Sequence, residues 1–163
     1  MEAEARRRAS GKLMLKGISP LITPELAFVL DAMGHGDSLV IADANFPAEE
    51  LAKRDVVRLP GSNAVEVLRA VLQLIGPDVL HENPGYVMQP DPNDKAVKGE
   101  PGIFAEFERE LAREGSHPSA KVGRYERQDF YRRASEAFAI VQTGESRLYG
   151  NLFLYKGVIV PKA

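Results

Sequence analysis

One short stretch, Ser38-Leu-Val-Ile-Ala-Asp43, constrains the fold of this chain more than any other. It is apolar without alternation and ends in a carboxylate, so it reads as a strand buried on both faces. A strand of that kind needs helices over both faces of its sheet, and the flanking sequence offers them. Before it, Thr23 suits an N-cap and Pro24 the first helical position, and Leu26, Val29, Leu30 and Met33 share one stripe that Gly34 ends. After it, Asn45-Phe-Pro47 breaks the strand, and Asp55–Leu59 reads as a second one closed by Pro60-Gly61. Asn63 and Glu66 then form a capping box for a helix carrying Val65, Leu68, Val71, Leu72 and Ile75 as far as Gly76-Pro77.

The second half continues the alternation. Tyr86–Met88 reads as a third strand, and residues 89–102, with Pro90, Pro92, Gly99, Pro101 and Gly102, as a loop. Ile103, Phe104, Phe107 and Leu111 mark a helix ending near Gly115, and residues 115–123 read as irregular. Asp129 is a candidate cap for a helix bearing Phe130, Ala134 and Ala137. Phe138–Val141 and Asn151–Tyr155 read as strands, with a turn at Thr143-Gly-Glu145. Strands alternating with helices favour an α/β layered architecture. The 163-residue length suits one domain over 14–163, with a polar, flexible N-terminal extension at 1–13 whose Arg6-Arg7-Arg8 run reads as solvated charge.

Composition removes whole classes of function. With 21 Lys and Arg against 23 Asp and Glu, the balance argues against a nucleic-acid binder. With 0 Cys, disulfide scaffolds, thiolate nucleophiles and zinc-thiolate sites are excluded. No stretch is apolar enough to span a membrane or serve as a secretory signal, so the chain reads as soluble and cytoplasmic. Phosphate-loop, dinucleotide, zincin and EF-hand motifs are missing, and His35, His81 and His117 lie far apart. The expectation is therefore chemistry with side-chain acids, bases and hydrogen bonds, using no cofactor and no metal.

Four features could carry that chemistry. Gly34-His35-Gly36-Asp37 exposes an imidazole between glycines, suited to proton transfer near neutrality or, more blandly, to a helix C-terminus. Asp43 stands at the carboxyl end of a buried strand, where α/β sheets bind ligands, though a turn carboxylate reads the same way. Arg127 with Tyr131 could orient a polar ligand or lie on the surface. Tyr149-Gly150-Asn151 could present polar groups or form an ordinary turn.

Taken in order, these motifs resemble those of the L-fucose mutarotase and D-ribose pyranase family. The resemblance is carried by Met14-Leu-Lys-Gly-Ile-Ser-Pro-Leu-Ile-Thr-Pro-Glu-Leu26, Met33-Gly-His-Gly-Asp37 and Ile41-Ala-Asp-Ala-Asn-Phe-Pro47. Phe130-Tyr-Arg-Arg-Ala134, Phe138-Ala-Ile-Val141, Thr143-Gly-Glu145 and Tyr149-Gly-Asn151 extend it, whereas 76–123 match loosely. Gly-His-Gly-Asp and Tyr-Gly-Asn resemble the fucose branch. Asn45 departs from it, because fucose-type members can carry a second His there, and this bears on sugar preference.

The resemblance implies a three-layer α/β/α single domain with a central, mostly parallel sheet. It also implies an isomerase that interconverts sugar anomers without a cofactor. Ring-like homo-oligomers, commonly decamers, with sites at subunit boundaries belong to the same implication. By position, His35 resembles the general acid, and Asp43, Arg127, Tyr149 and Asn151 resemble sugar-contacting residues, with Tyr131 as a weaker addition. An extended strand would hold His35 and Asp43 on the order of 20 Å apart in one chain, so they share a site only if the loop folds back or a neighbouring subunit supplies one of them, and the second agrees with the interfacial sites that the resemblance implies. The alternatives are a D-ribose pyranase and a non-catalytic sugar-binding oligomer.

Overall fold

The computed structural model describes residues 15–161, so the extension read at 1–13 lies outside the described residues. In chain order the elements are α1 (Pro24–Ala32), β1 (Ser38–Ala42), α2 (Ala48–Leu51), β2 (Asp55–Leu59), α3 (Ala64–Val71), β3 (Gly85–Met88), α4 (Ile103–Glu114), β4 (Val122–Tyr125), α5 (Arg127–Glu136), β5 (Ala139–Thr143) and β6 (Leu152–Tyr155). The caps behave as their residue types dictate. Thr23 accepts from the Leu26 amide with Pro24 at the first position of α1, and Asn63 and Glu66 close a reciprocal capping box on α3.

Six strands form one sheet in the order β2-β5-β1-β6-β3-β4. β1 with β5, β2 with β5, and β3 with β4 pair in parallel, while β6 runs antiparallel between β1 and β3. Five strands therefore point one way and only β6 opposes them. The chain passes from β5 to β6 without a helix, so no crossover returns it to the starting edge and β6 runs back antiparallel.

Leu152 and Phe153 show how the helices are layered, since consecutive strand residues face opposite sides of a sheet. Phe153 meets the Phe130 ring of α5 edge-on at 6.0 Å. Leu152 lies on the other face, where a Cβ on Gly85 would meet Leu152 Cδ1 at 3.0 Å and Leu111 Cδ1 of α4 at 3.4 Å. The sheet is thus covered on both sides, and the apolar character of its central strands β1 and β6 follows from that. Phe104 and Phe107 of α4, Phe130 of α5 and Phe153 of β6 are fully buried, each side chain contributing about 1.5–3 kcal/mol from apolar burial.

Two expectations need correction. Part of the stretch read as irregular is the edge strand β4, whose Val-Gly-Arg-Tyr sequence is short and only partly apolar because one flank has no neighbour. Asp129 does not cap α5. Glu126 does, accepting from the amides of Gln128 and Asp129, while the Asp129 carboxylate pairs with Arg132 and Arg133.

Candidate functional site

The strand directions divide the polar residues between two edges of the sheet. Asp43 follows β1, residues 89–102 follow β3, Arg127 follows β4, Thr143 ends β5 with 144–149 after it, and Asn151 precedes the opposed β6. All therefore gather at the carboxyl edge of the parallel strands, the edge where open α/β sheets bind ligands.

Asp43 and Asn151 are the fixed centre of that edge, each 5% exposed. The Asn151 side chain serves Asp43 twice: its Oδ1 accepts from the Asp43 amide at 2.8 Å, and its Nδ2 donates to Asp43 Oδ2 at 2.9 Å. The Asn45 amide donates to Asp43 Oδ1 at 3.0 Å. Burial pushes the Asp43 carboxyl above its ordinary range, the Asn45 amide, Asn151 and the Phe46 amide pull it back, and the nearby Glu145 charge adds to the rise. Supporting bonds hold the loops in place. Thr143 Oγ1 donates to the Ala42 carbonyl at 2.8 Å, and the Ala44 amide to the Glu145 carbonyl at 2.9 Å.

Tyr149 and Arg127 sit beside this pair. Tyr149 adopts φ 62°, a left-handed conformation unusual for an aromatic residue. The following turn leaves no room at Gly150, where a Cβ would lie 2.6 Å from Glu145 Cγ and 3.1 Å from the Arg147 carbonyl. The Tyr149 hydroxyl donates to Asp94 Oδ2 at 2.8 Å and accepts from Arg127 Nη2 and the Asp91 amide, both at 3.2 Å. Tyr131 lies at the same edge, its ring 5.7 Å from that of Phe46. Asp91 and Asp94 are not distinguished by sequence, because charged residues in a proline-rich loop carry no periodic signal.

His35 lies at the opposite, amino edge. The five residues of β1 alone separate it from Asp43 by more than about 13 Å at 3.3 Å per residue. A role as helix cap is already filled: Lys156 Nζ donates to the carbonyls of Leu30 and Met33 at the end of α1, at 2.8 and 2.6 Å. The imidazole, 44% exposed, instead places Nε2 at 3.3 Å from Asp78 Oδ1. His81 Nδ1 lies 3.1 Å from the other oxygen of Asp78. Burial alone would raise the Asp78 carboxyl, but the Leu80 amide and the two imidazoles hold it below the ordinary carboxylate range. By sequence Gly76-Pro77 reads only as a helix stop, and nothing local reveals that Asp78 faces His35 across 43 residues.

Fold and site together define a mixed α/β domain with a polar cluster at the carboxyl edge of its sheet and an imidazole paired with a buried carboxylate at the other edge. Residues 16–159 match the RbsD / FucU transport protein family, and the chain belongs to that family. It is 41% identical over 152 residues to the fucose mutarotase of Bos taurus, covering 92% of this chain and 97% of that protein. The human fucose mutarotase is 43% identical over 148 residues, covering 89% and 94%. A fucose mutarotase from Streptococcus pneumoniae, solved in complex with L-fucose, superimposes with a TM-score of 0.81 at 36% identity, covering 90% of this chain and all of that one.

Proposed function

We propose that this protein interconverts the α and β anomers of L-fucose. The observation that carries the reading is near-full-length similarity to fucose mutarotases from two mammals, joined to the fold of one that holds L-fucose. The carboxyl edge adds chemical support. Asp43, Asn151, Tyr149 and Arg127 together offer carboxylate, amide, phenol and guanidinium groups, the donors and acceptors that a ring of hydroxyls requires.

Mutarotation opens a hemiacetal and closes it on the other face of the aldehyde. A proton goes to the ring oxygen while water takes the one that leaves the anomeric hydroxyl, and both transfers reverse after rotation about C1–C2. In this reading His35 delivers and recovers the ring-oxygen proton, which is the range of chemistry an imidazole serves near neutrality. Asp43 and Asn151 hold hydroxyls, Arg127 and Tyr149 fix the ring, and Tyr131 lines the site. No step calls for a cofactor or a metal.

Because one chain keeps His35 away from Asp43, the working site takes His35 from one copy and the carboxyl-edge residues from the next. Assembly as a homo-oligomer, a decamer in this reading, follows. Exposed apolar side chains around the amino edge, Val79, Leu80, Val158, Ile159 and Val160, are suited to burial against that neighbour. Residues 14–163 form the catalytic domain and 1–13 an appended extension. The described residues contain no helix long and apolar enough to cross a membrane, and we place the enzyme in the cytoplasm.

The test is NMR saturation transfer between the anomeric protons of L-fucose, with and without the protein. Faster exchange is expected, lost in His35→Ala. Binding of L-fucose without faster exchange would overturn catalysis and leave a sugar-binding oligomer. Acceleration with D-ribose alone would reassign the enzyme to pyranose–furanose exchange.

A further inference from the structure

Asp78 bridges two imidazoles, and only one of them belongs to the mechanism above. Its carboxylate is buried and fully engaged: Oδ1 faces His35 Nε2 and takes the Leu80 amide at 3.1 Å, and Oδ2 faces His81 Nδ1. The backbone beneath it is fixed. The Asp78 amide donates to the Tyr155 carbonyl at 2.8 Å, and the chain just beyond β6 passes so close that a Cβ on Gly157 would lie 2.7 Å from the Pro77 carbonyl. His81 itself lies flat on the Tyr155 ring, with centroids 3.9 Å apart and planes 8° from parallel. Tyr155 is held in turn, its hydroxyl 3.1 Å from that of Tyr125 and accepting from Arg133 Nη1 at 3.3 Å.

An ionised carboxylate only accepts hydrogen bonds, so each nitrogen facing Asp78 carries a proton. That places the His35 proton on Nε2 and leaves Nδ1 as the nitrogen able to take up and return a proton. The Asp78 backbone fixes where the carboxylate is, but rotation about its Cβ–Cγ bond is soft. The Leu80 amide on Oδ1 and the bond from His81 on Oδ2, a ring that stacking on Tyr155 already holds, together set that rotation. We infer that His81 is a positioning residue: through Asp78 it fixes the tautomer and ring orientation of His35. The contact is local to the amino edge of one chain, and its effect on rate rests on His35 being the proton carrier proposed above.

The experiment uses the full chain with 15N-labelled histidine, reading tautomers from long-range 1H–15N spectra at a pH where the imidazoles are neutral, alongside fucose exchange rates. Wild-type His35 is expected as a single tautomer protonated on Nε2. His81→Phe keeps a ring over Tyr155 but loses the bond. It should give mixed His35 tautomers and a kcat lower by roughly tenfold, with KM nearly unchanged. His81→Asn retains a donor and should restore both.

A His35 tautomer that is mixed in the wild type, or unchanged in His81→Phe, would overturn the proposal, and the wild-type spectrum is decisive on the first point even if the Phe variant does not fold. A tautomer change with no change in exchange rate would uphold the positioning by His81 but remove His35 from the mechanism. That outcome separates the failure of this inference from the failure of the functional reading.

Discussion

Removing the Asn151 side chain should damage the fold and the site at once, by an amount that the local geometry fixes. Asn151→Ala deletes one bond to the Asp43 amide and a second, charge-assisted bond to the Asp43 carboxylate, both buried. A neutral hydrogen bond contributes about 0.5–1.5 kcal/mol and one to a charged group about 1.5–3 kcal/mol. The losses sum to roughly 2–4.5 kcal/mol, the upper part applying if no water replaces the amide. Burial already raises the Asp43 carboxyl and Asn151 is among the groups pulling it back, so the variant should raise it further. A carboxyl raised on folding stabilises the protein fully below its unfolded value near 3.8 and loses that contribution as pH rises through the folded value. The variant's deficit should therefore shrink as pH falls from neutrality toward that value. Urea unfolding at fixed protein concentration, compared at neutral and mildly acidic pH, measures both effects. A deficit under about 1 kcal/mol at neutral pH, or one that grows on acidification, would refute the reasoning.

Other substitutions probe separate parts of the structure. Gly150→Ala forces a Cβ against the buried Glu145 side chain and the Arg147 carbonyl, and should cost about 1–3 kcal/mol, visible as a lower urea midpoint. Tyr149→Phe removes the hydroxyl that joins Arg127, Asp94 and the Asp91 amide. It should raise KM for L-fucose by about tenfold and speed amide exchange in 89–102. Glu110, buried on α4, lies below its ordinary range chiefly through its two bonds from Arg69 on α3. Its stabilisation is present above the unfolded value near 4.5 and lost as pH falls through the folded value. Glu110→Gln should therefore lose stability at neutral pH and show a flatter decline between there and strongly acidic solution.

What could be read from the sequence follows from how local each signal is. Thr23-Pro24 and Asn63-Glu66 specify their caps within four residues, and the unbroken apolar run at 39–42 announces a doubly covered strand. β4 is hidden because an edge strand of four residues needs no apolar alternation, and the register that makes it a strand comes from β3. The candidate residues of the carboxyl edge stand out through their order along the chain. Their partners do not. Asp94 meets Tyr149 across 55 residues, and Asp78 meets His35 across 43, so the contacts exist only once the sheet places β3 beside β6 and β6 beside β1. The same topology sets His35 and Asp43 at opposite edges, a separation that strand geometry alone already implies.

The claim that one copy's His35 works on a sugar held by the next copy's carboxyl edge has a direct test. His35→Ala and Arg127→Ala should each be inactive alone. Unfolded together and refolded as mixed oligomers, they leave intact both halves of about one site in four, because each half is drawn independently from neighbouring copies. Saturation transfer on L-fucose should then recover about a quarter of the wild-type exchange rate. A mixture as inactive as its components would show that His35 and Arg127 serve the same site within a single chain, or no site at all, and would contradict the account.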